Sequence, residues 1–208
     1  MLKNVNNLKI SCNDVDIQIA SKAISDGAII IFPTDTVYGL GCNPYNHDAV
    51  LSLYEIKKRK KTKPFPVIGY SKKEIEKIAE FNSLEEKIAE KFWPGQITLI
   101  LKIKDKKIQK SLDLEGKIAV RVPNNQCVLA LLKECKLLVG TSANISGTGP
   151  FNDPKECGKN LSGYDLLIDG GIISGQGEST IVEIENNDVK ILRKGNVSKE
   201  MIKELTLI

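Results

Sequence analysis

The chain has 208 residues, 41% of them hydrophobic and 27% charged, with a formal net charge of +4. That supplies an ordinary core without metals or staples, and too little positive charge to demand a nucleic-acid partner. The single histidine, His47 in the polar stretch NPYNHD, excludes serine–histidine hydrolysis and reads as an exposed loop residue.

The opening segment MLKNVNNLKISCND has neither a long apolar run nor an arginine-rich amphipathic pattern, so no targeting peptide is expected. No apolar stretch approaches the ~20 residues of a membrane span, and a cytoplasmic protein is the expectation. DVDIQIASKAISDG (14–27) reads as a helix with Asp14 as N-cap and Gly27 as its stop. AIIIF (28–32) then reads as a buried strand that ends at Pro33, because proline cannot donate to a ladder. Behind it, PTDTVYGLG sets out hydroxyls and a carboxylate where the chain leaves a sheet, the place where α/β folds put ligands. Thr34, Thr36 and Tyr38 are expected to offer hydroxyls to a small polar guest, and Gly39 and Gly41 to let backbone approach closely.

DAVLSLYEIKKR (48–59) is helix-patterned and runs into the basic stretch KKRKKTK (57–63). Cations there favour a helix C-terminus. A polyphosphate gives a second reason for them, since it rewards guanidinium forks. PVIGY (66–70) reads as a strand, and SLEEKIAEKFW (83–93) as a helix opened by a capping box of Ser83 and Glu86. TLILKI (98–103) and IAVRV (118–122) look like hairpin partners around a polar loop, KDKKIQKSLDLEGK (104–117). Arg121 interrupts the second strand. An arginine there faces solvent unless its side of the sheet lines a pocket, where the fork suits a carboxylate.

NQCVLALLKEC (125–135) is a helix and LLVG (137–140) a strand. GTSANISG (140–147) follows, a stretch of small hydroxyls and exposed N–H groups that either cradles an anion or forms a plain turn. DPKECGKNL (153–161) reads as a helix and DLLID (165–169) as a strand. DGGIISGQGEST (169–180) lacks the lysine of a Walker loop and opens no helix, so it reads as a flexible loop delivering Ser179 and Thr180. STIVEI (179–184) and VKILR (189–193) form another hairpin pair, and SKEMIKELT (198–206) a closing helix. The five cysteines, odd in number and without a C-x-x-C pair, read as reduced thiols. Strands and helices interleave, which predicts one α/β domain over 1–208 with a twisted mixed sheet and flanking helices.

PTDTVYGLG, KKR with a downstream KPFPV, WPGQIT, VRVP, TSANISG, STIV and ILRKG occur in this order between Ala28 and Gly195. The succession resembles the YrdC-like family of threonylcarbamoyl-AMP synthases in its single-domain form. The resemblance implies a large basic concave cavity on one side of the sheet. It also implies the conversion of ATP, L-threonine and bicarbonate to threonylcarbamoyl-AMP and diphosphate, for the threonylcarbamoyladenosine modification of tRNA. Lys57 and Arg59 are then implied as catalytic residues holding the phosphates, with Lys63 nearby. Thr36, Arg121, Ser142 and Ser179 are implied at the threonine, Arg121 on its carboxylate. Lys117, Asn144, Asn152 and Arg193 fall at implied ATP contacts, and Asp35 holds either the loop or the ammonium group. The implied cofactor is Mg2+ carried by substrate phosphates, with no all-protein metal site. The implied partners are a downstream threonylcarbamoyl transferase and a weakly held tRNA. Lys60 and Gln96 depart from prolines of the pattern, and Ile68 stands where some relatives have a threonine-contacting histidine. Two alternatives stay open: a non-catalytic RNA-binding domain, and a carbamoyl-adenylate-forming relative with another acceptor.

Overall fold

The computed structural model describes residues 8–175, 177–186 and 188–204. The first seven residues, part of the segment read for a targeting peptide, lie outside them, as does the end of the last expected helix. The chain runs β1 (Leu8–Ser11), α1 (Asp14–Ser25), β2 (Ile30–Phe32), β3 (Gly39–Gly41), α2 (His47–Lys57), β4 (Val67–Gly69), α3 (Lys72–Ile75) and β5 (Ala79–Glu80). It continues with α4 (Ser83–Phe92), β6 (Ile97–Ile103), α5 (Lys106–Ser111), β7 (Lys117–Arg121), α6 (Gln126–Cys135), β8 (Leu137–Val139) and β9 (Thr141–Ser142). The last elements are α7 (Pro154–Asn160), β10 (Leu166–Asp169), β11 (Thr180–Glu185), β12 (Asp188–Arg193) and α8 (Lys199–Lys203).

The strands make two mixed sheets, ordered β1-β10-β2-β3-β9 and β12-β11-β6-β7-β4-β8, with β5 paired to β6. Both expected hairpin pairs are antiparallel neighbours, Leu99 opposite Val120 and Val182 opposite Ile191. The apolar run of β2 is buried on both faces, and its alternation decides which side chain serves which core. Ile30 and Phe32 pack with Ile17, Ala20 and Ile24 of α1 and Val128, Leu131 and Leu132 of α6. Ile29 and Ile31 point the other way, into a larger core with Leu53 of α2, Leu99 and Leu101 of β6 and Val120 of β7.

Strand direction places the site. β7 runs antiparallel to β6, β6 parallel to β11, and β11 antiparallel to β12. The C-terminal ends of β7 and β12 and the N-terminal ends of β6 and β11 therefore share one rim of the second sheet. Arg121, Thr98, Ser179 and Arg193 all sit on that rim.

Several local readings need correction. Asn13, not Asp14, caps α1: its Oδ1 accepts from the Asp16 N–H at 2.9 Å. The capping box of α4 is Asn82 with Glu85, one residue before the expected pair, because Asn82 keeps the extended backbone a cap requires. His47 opens α2 rather than lying in a loop, and its Nδ1 is 2.8 Å from the Ser111 carbonyl. The lysine-rich stretch taken as a loop contains α5, whose Ile108 is buried and whose N-cap Asp105 accepts from Lys107 and Ile108. Cys12 and Cys127 are not free thiols. Their sulfurs are bonded at 2.02 Å, joining the residue after β1 to the first turn of α6. The packing of α1 against α6 brings the two together across 115 residues of sequence, a separation that no local spacing advertises. Cys42, Cys135 and Cys157 remain free, and burial pushes the Cys42 thiol up to about 12.

Candidate functional site

The site begins at the turn after β2. Thr34 accepts from the N–H groups of Thr36 (3.1 Å) and Val37 (3.2 Å), while its hydroxyl donates to the Val37 carbonyl at 2.6 Å. A hydroxyl committed this way builds the turn and is not offered to a guest. Tyr38 is likewise spent. Fully buried, its hydroxyl donates to the Gly171 carbonyl at 2.7 Å and accepts from Gly170 N–H. Of the three hydroxyls set out by PTDTVYG, Thr36 alone faces other site groups. Gly41 is required for packing rather than for a ligand, since a Cβ there would meet the Val139 carbonyl at 1.8 Å.

Arg121, expected at the surface unless a pocket claimed it, is buried, with 8% of its side chain exposed. Its Nε donates to the Gly95 carbonyl at 2.8 Å, Nη1 to Thr36 Oγ1 at 3.2 Å and Nη2 to Asp35 Oδ1 at 2.6 Å. Gly95 comes from the WPGQIT stretch. Gln96 beside it donates to the Asp35 carbonyl at 2.8 Å, so the glutamine standing for a proline braces the same turn. Burial holds the Arg121 guanidinium below its ordinary range; Asp35 opposes this, and the charge of Arg193 adds to it.

The second group is on the rim of β6, β11 and β12. Thr98 Oγ1 lies 2.8 Å from Ser179 Oγ, both buried. Arg193 donates from Nη2 to Ser179 Oγ at 3.0 Å and to the Ser179 carbonyl at 2.9 Å, while Nη1 meets Glu178 at 2.9 Å. Segment 171–175 closes against the first group: a Cβ on Gly175 would stand 2.0 Å from the Thr36 carbonyl. Asn152 Nδ2 donates to the Gly175 carbonyl at 3.0 Å, which places Asn152 beside this segment.

The third group is the end of α2. Lys57 is 1% exposed and turns inward. Its ammonium donates to the Ser142 carbonyl, to the Asn144 carbonyl at 2.8 Å and to Asn144 Oδ1 at 3.3 Å. All three N–H donors of that ammonium have partners within the TSAN loop. Burial, and then Arg59, push it down to about 8. Arg59 donates to the carbonyls of Lys63 (2.8 Å) and Pro64 (3.3 Å) and stacks over Phe65 at 5.1 Å. Arg59 is lowered mainly by burial and in part by Arg193, whereas Glu178 raises it.

Backbone pairing ties the third group to the first: Ser142 of β9 is the register partner of Gly39, three residues beyond Thr36. The charges of Arg193 and Glu178 are both felt at Arg59. Thr36, Lys57, Arg59, Arg121, Ser142, Asn144, Asn152, Ser179 and Arg193 therefore fall around one region, with Lys63 exposed at its margin. Lys117 does not join them. It begins β7, four residues or about 13 Å along the strand from Arg121, and pairs with Glu183 at 2.6 Å. Residues that sequence reasoning left unassigned are Thr98 and Glu178. Both stand inside quoted motifs, WPGQIT and GEST, but nothing local distinguishes them from filler.

A cavity of about 910 Å3 lies elsewhere, between the β11–β12 hairpin, Lys194–Val197 and the start of α8. None of the site residues lines it, and it lacks the guanidinium cluster.

The Sua5/YciO/YrdC family model, described as telomere recombination, matches residues 22–195. The chain belongs to that family. A Methanocaldococcus jannaschii chain carrying a provisional threonylcarbamoyl-AMP synthase name is 36% identical over 184 residues, spanning 86% of this chain and 85% of that one. The Bacillus subtilis threonylcarbamoyl-AMP synthase is 32% identical, spanning 93% of this chain and 57% of its own length. Among solved structures, Pyrococcus abyssi Sua5 complexed with L-threonine is 30% identical with a TM-score of 0.85, over 96% of this chain and 59% of that one. The chain thus spans a little under two thirds of some family members and most of others. Escherichia coli YciO, at 23% identity and a TM-score of 0.86, shares the fold.

Proposed function

We propose that the protein is an L-threonylcarbamoyladenylate synthase, joining L-threonine, bicarbonate and ATP to give threonylcarbamoyl-AMP and diphosphate. The observation that carries this reading is the meeting of Arg121 and Thr36 with a second guanidinium group, Arg193, on one rim. An amino-acid carboxylate and a polyphosphate are both anions, and both need forks. The synthase names of the relatives and the threonine bound by Pyrococcus abyssi Sua5 support the same substrates.

In the proposed reaction the threonine amine adds to bicarbonate with loss of water, giving a carbamate. A carbamate oxygen then attacks the α-phosphorus and diphosphate leaves. Two anions must approach, so the gain comes from positioning and from charge neutralisation in a partly dry site. No covalent side-chain nucleophile is needed. Arg121 orients the threonine carboxylate, and Arg59 and Arg193 neutralise the phosphates. Lys57 acts through the TSAN loop: its ammonium fixes the backbone that presents Ser142 and Asn144. This replaces the direct phosphate contact expected from the sequence. Among the described residues no three His, Cys, Asp or Glu side chains gather to hold an ion. Magnesium would be the counterion that ATP carries on its own phosphate oxygens. The product is a mixed anhydride, which calls for a transferase acting on tRNA to consume it.

Diphosphate release from ATP tests the reading. Threonine and bicarbonate should both be required, and equal turnover with serine, glycine or no amino acid would refute the assignment. Arg59→Ala should weaken ATP binding, whereas Lys106→Ala on exposed α5 should leave it unchanged.

A further inference from the structure

Three buried side-chain oxygens lack a hydrogen-bond partner among the described residues: Asp35 Oδ2, Ser111 Oγ and Asn152 Oδ1. Only the first belongs to a carboxylate. Asp35 is the residue whose role the sequence left between holding the loop and holding an ammonium. Its Oδ1 is paired with Arg121 at 2.6 Å, and only 10% of its side chain is exposed. An unpartnered carboxylate oxygen at such a depth is costly, and native proteins rarely keep one without a use. On the other side of the pair, Arg121 spends three N–H donors on Gly95, Thr36 and Asp35. A guanidinium has five, so one remains on each terminal nitrogen.

The pair thus holds two guanidinium N–H groups without a described acceptor beside one unpartnered, deeply buried carboxylate oxygen. An α-amino acid presents the complement, a carboxylate and an ammonium on the same carbon. We propose that Asp35 Oδ2 receives the α-ammonium of the amino-acid substrate, so that Asp35 and Arg121 together read the zwitterion. This rests on the threonine reading of the site and adds the residue that makes the site demand an amine. Asp35 would then do two things at once: one oxygen aims Arg121, and the other holds the ammonium nitrogen, which gives up a proton to solvent before it attacks bicarbonate. A ligand with the same carboxylate and side chain but a hydroxyl in place of the ammonium keeps the Arg121 contact and loses the charge-assisted bond. Such a bond is about twice as strong as a neutral one.

The test is calorimetric titration of the full chain with L-threonine and with 2,3-dihydroxybutyrate, its analogue with hydroxyl for ammonium. The wild type should bind threonine at least about tenfold more tightly than the analogue. Asp35→Asn keeps an oxygen for Arg121 and places an NH2 group where Oδ2 stood. It should lose about ten- to a hundredfold in threonine affinity. Its affinity for the analogue, and for ATP alone, should change less than about threefold. If Asp35→Asn binds threonine normally, or loses threonine and analogue equally, Asp35 serves only to hold Arg121 and the inference fails. Should the variant not fold, the wild-type comparison decides: equal affinity for the two ligands overturns the inference. A wild type that binds neither ligand and releases no threonine-dependent diphosphate refutes the functional reading itself, before any variant is made.

Discussion

Removing the Arg121 guanidinium is the sharpest perturbation the structure offers. In Arg121→Ala, Asp35 would be left with two buried oxygens and no partner, and both the Gly95 carbonyl and Thr36 Oγ1 would lose a donor. Breaking a buried ion pair from one side costs about 3–5 kcal/mol, because the remaining charge is stranded. At about 2–4 °C per kcal/mol for a chain of this size, the melting temperature should fall by about 6–20 °C. The same logic predicts a strong non-additivity. Asp35→Ala strands Arg121 in turn, but the double variant strands neither, so its loss should be smaller than the sum by about 2 kcal/mol or more. Denaturant unfolding of the wild type, both single variants and the double closes the cycle. Additivity within about 0.5 kcal/mol would refute the idea that the two charges depend on each other. Threonine-dependent diphosphate release by Arg121→Ala, measured where it is folded, should drop about thirtyfold or more, since a desolvated carboxylate loses its fork.

Lys57 is held near 8, below its value in an unfolded chain, so the unfolded state binds the extra proton between about pH 8 and 10.5. Stability from this group should therefore rise with pH across that window, by up to about 1.4 kcal/mol per pH unit, and Lys57→Met should abolish the rise; identical pH profiles would contradict the burial argument. Glu178→Gln frees Arg193 from a half-exposed pair and should tighten ATP binding about two- to fivefold, as read by titration in the absence of threonine; weaker binding would mean that Glu178 helps rather than competes. Cys12→Ser opens a cross-link that spans 115 residues and should cost about 2–4 kcal/mol in thermal unfolding, with no further loss on adding reductant.

Much of the fold was legible because its signals are local. The runs that became β2, β6, β7, β10, β11 and β12 are short, apolar and bounded by turn residues. The strands β3 and β9 were missed because their residues, Gly-Leu-Gly and Thr-Ser, form no apolar or β-branched run of the kind that marks β2. α5 was missed because five polar residues outnumber its single buried apolar side chain, Ile108. In the site, Thr36, Arg121, Ser179 and Arg193 came from motifs and do meet in space. Lys57 looked like its neighbours in the basic run, and only the carbonyls of Ser142 and Asn144, 85 and 87 residues away, decide that it turns inward. Lys117, which the resemblance puts at an ATP contact, begins β7 about 13 Å along the strand from Arg121 and pairs with Glu183.

The bonds that join the separate parts of the site are distant in sequence. Arg121 reaches Asp35 across 86 residues, Lys57 reaches Asn144 across 87, and Thr98 meets Ser179 across 81. No contiguous fragment contains a finished binding unit. A truncated or circularly cut chain should therefore regain threonine binding only when both pieces associate. Along a denaturant titration, ligand binding and tertiary structure should disappear at a single midpoint, which makes threonine affinity a direct gauge of how much of the population is native.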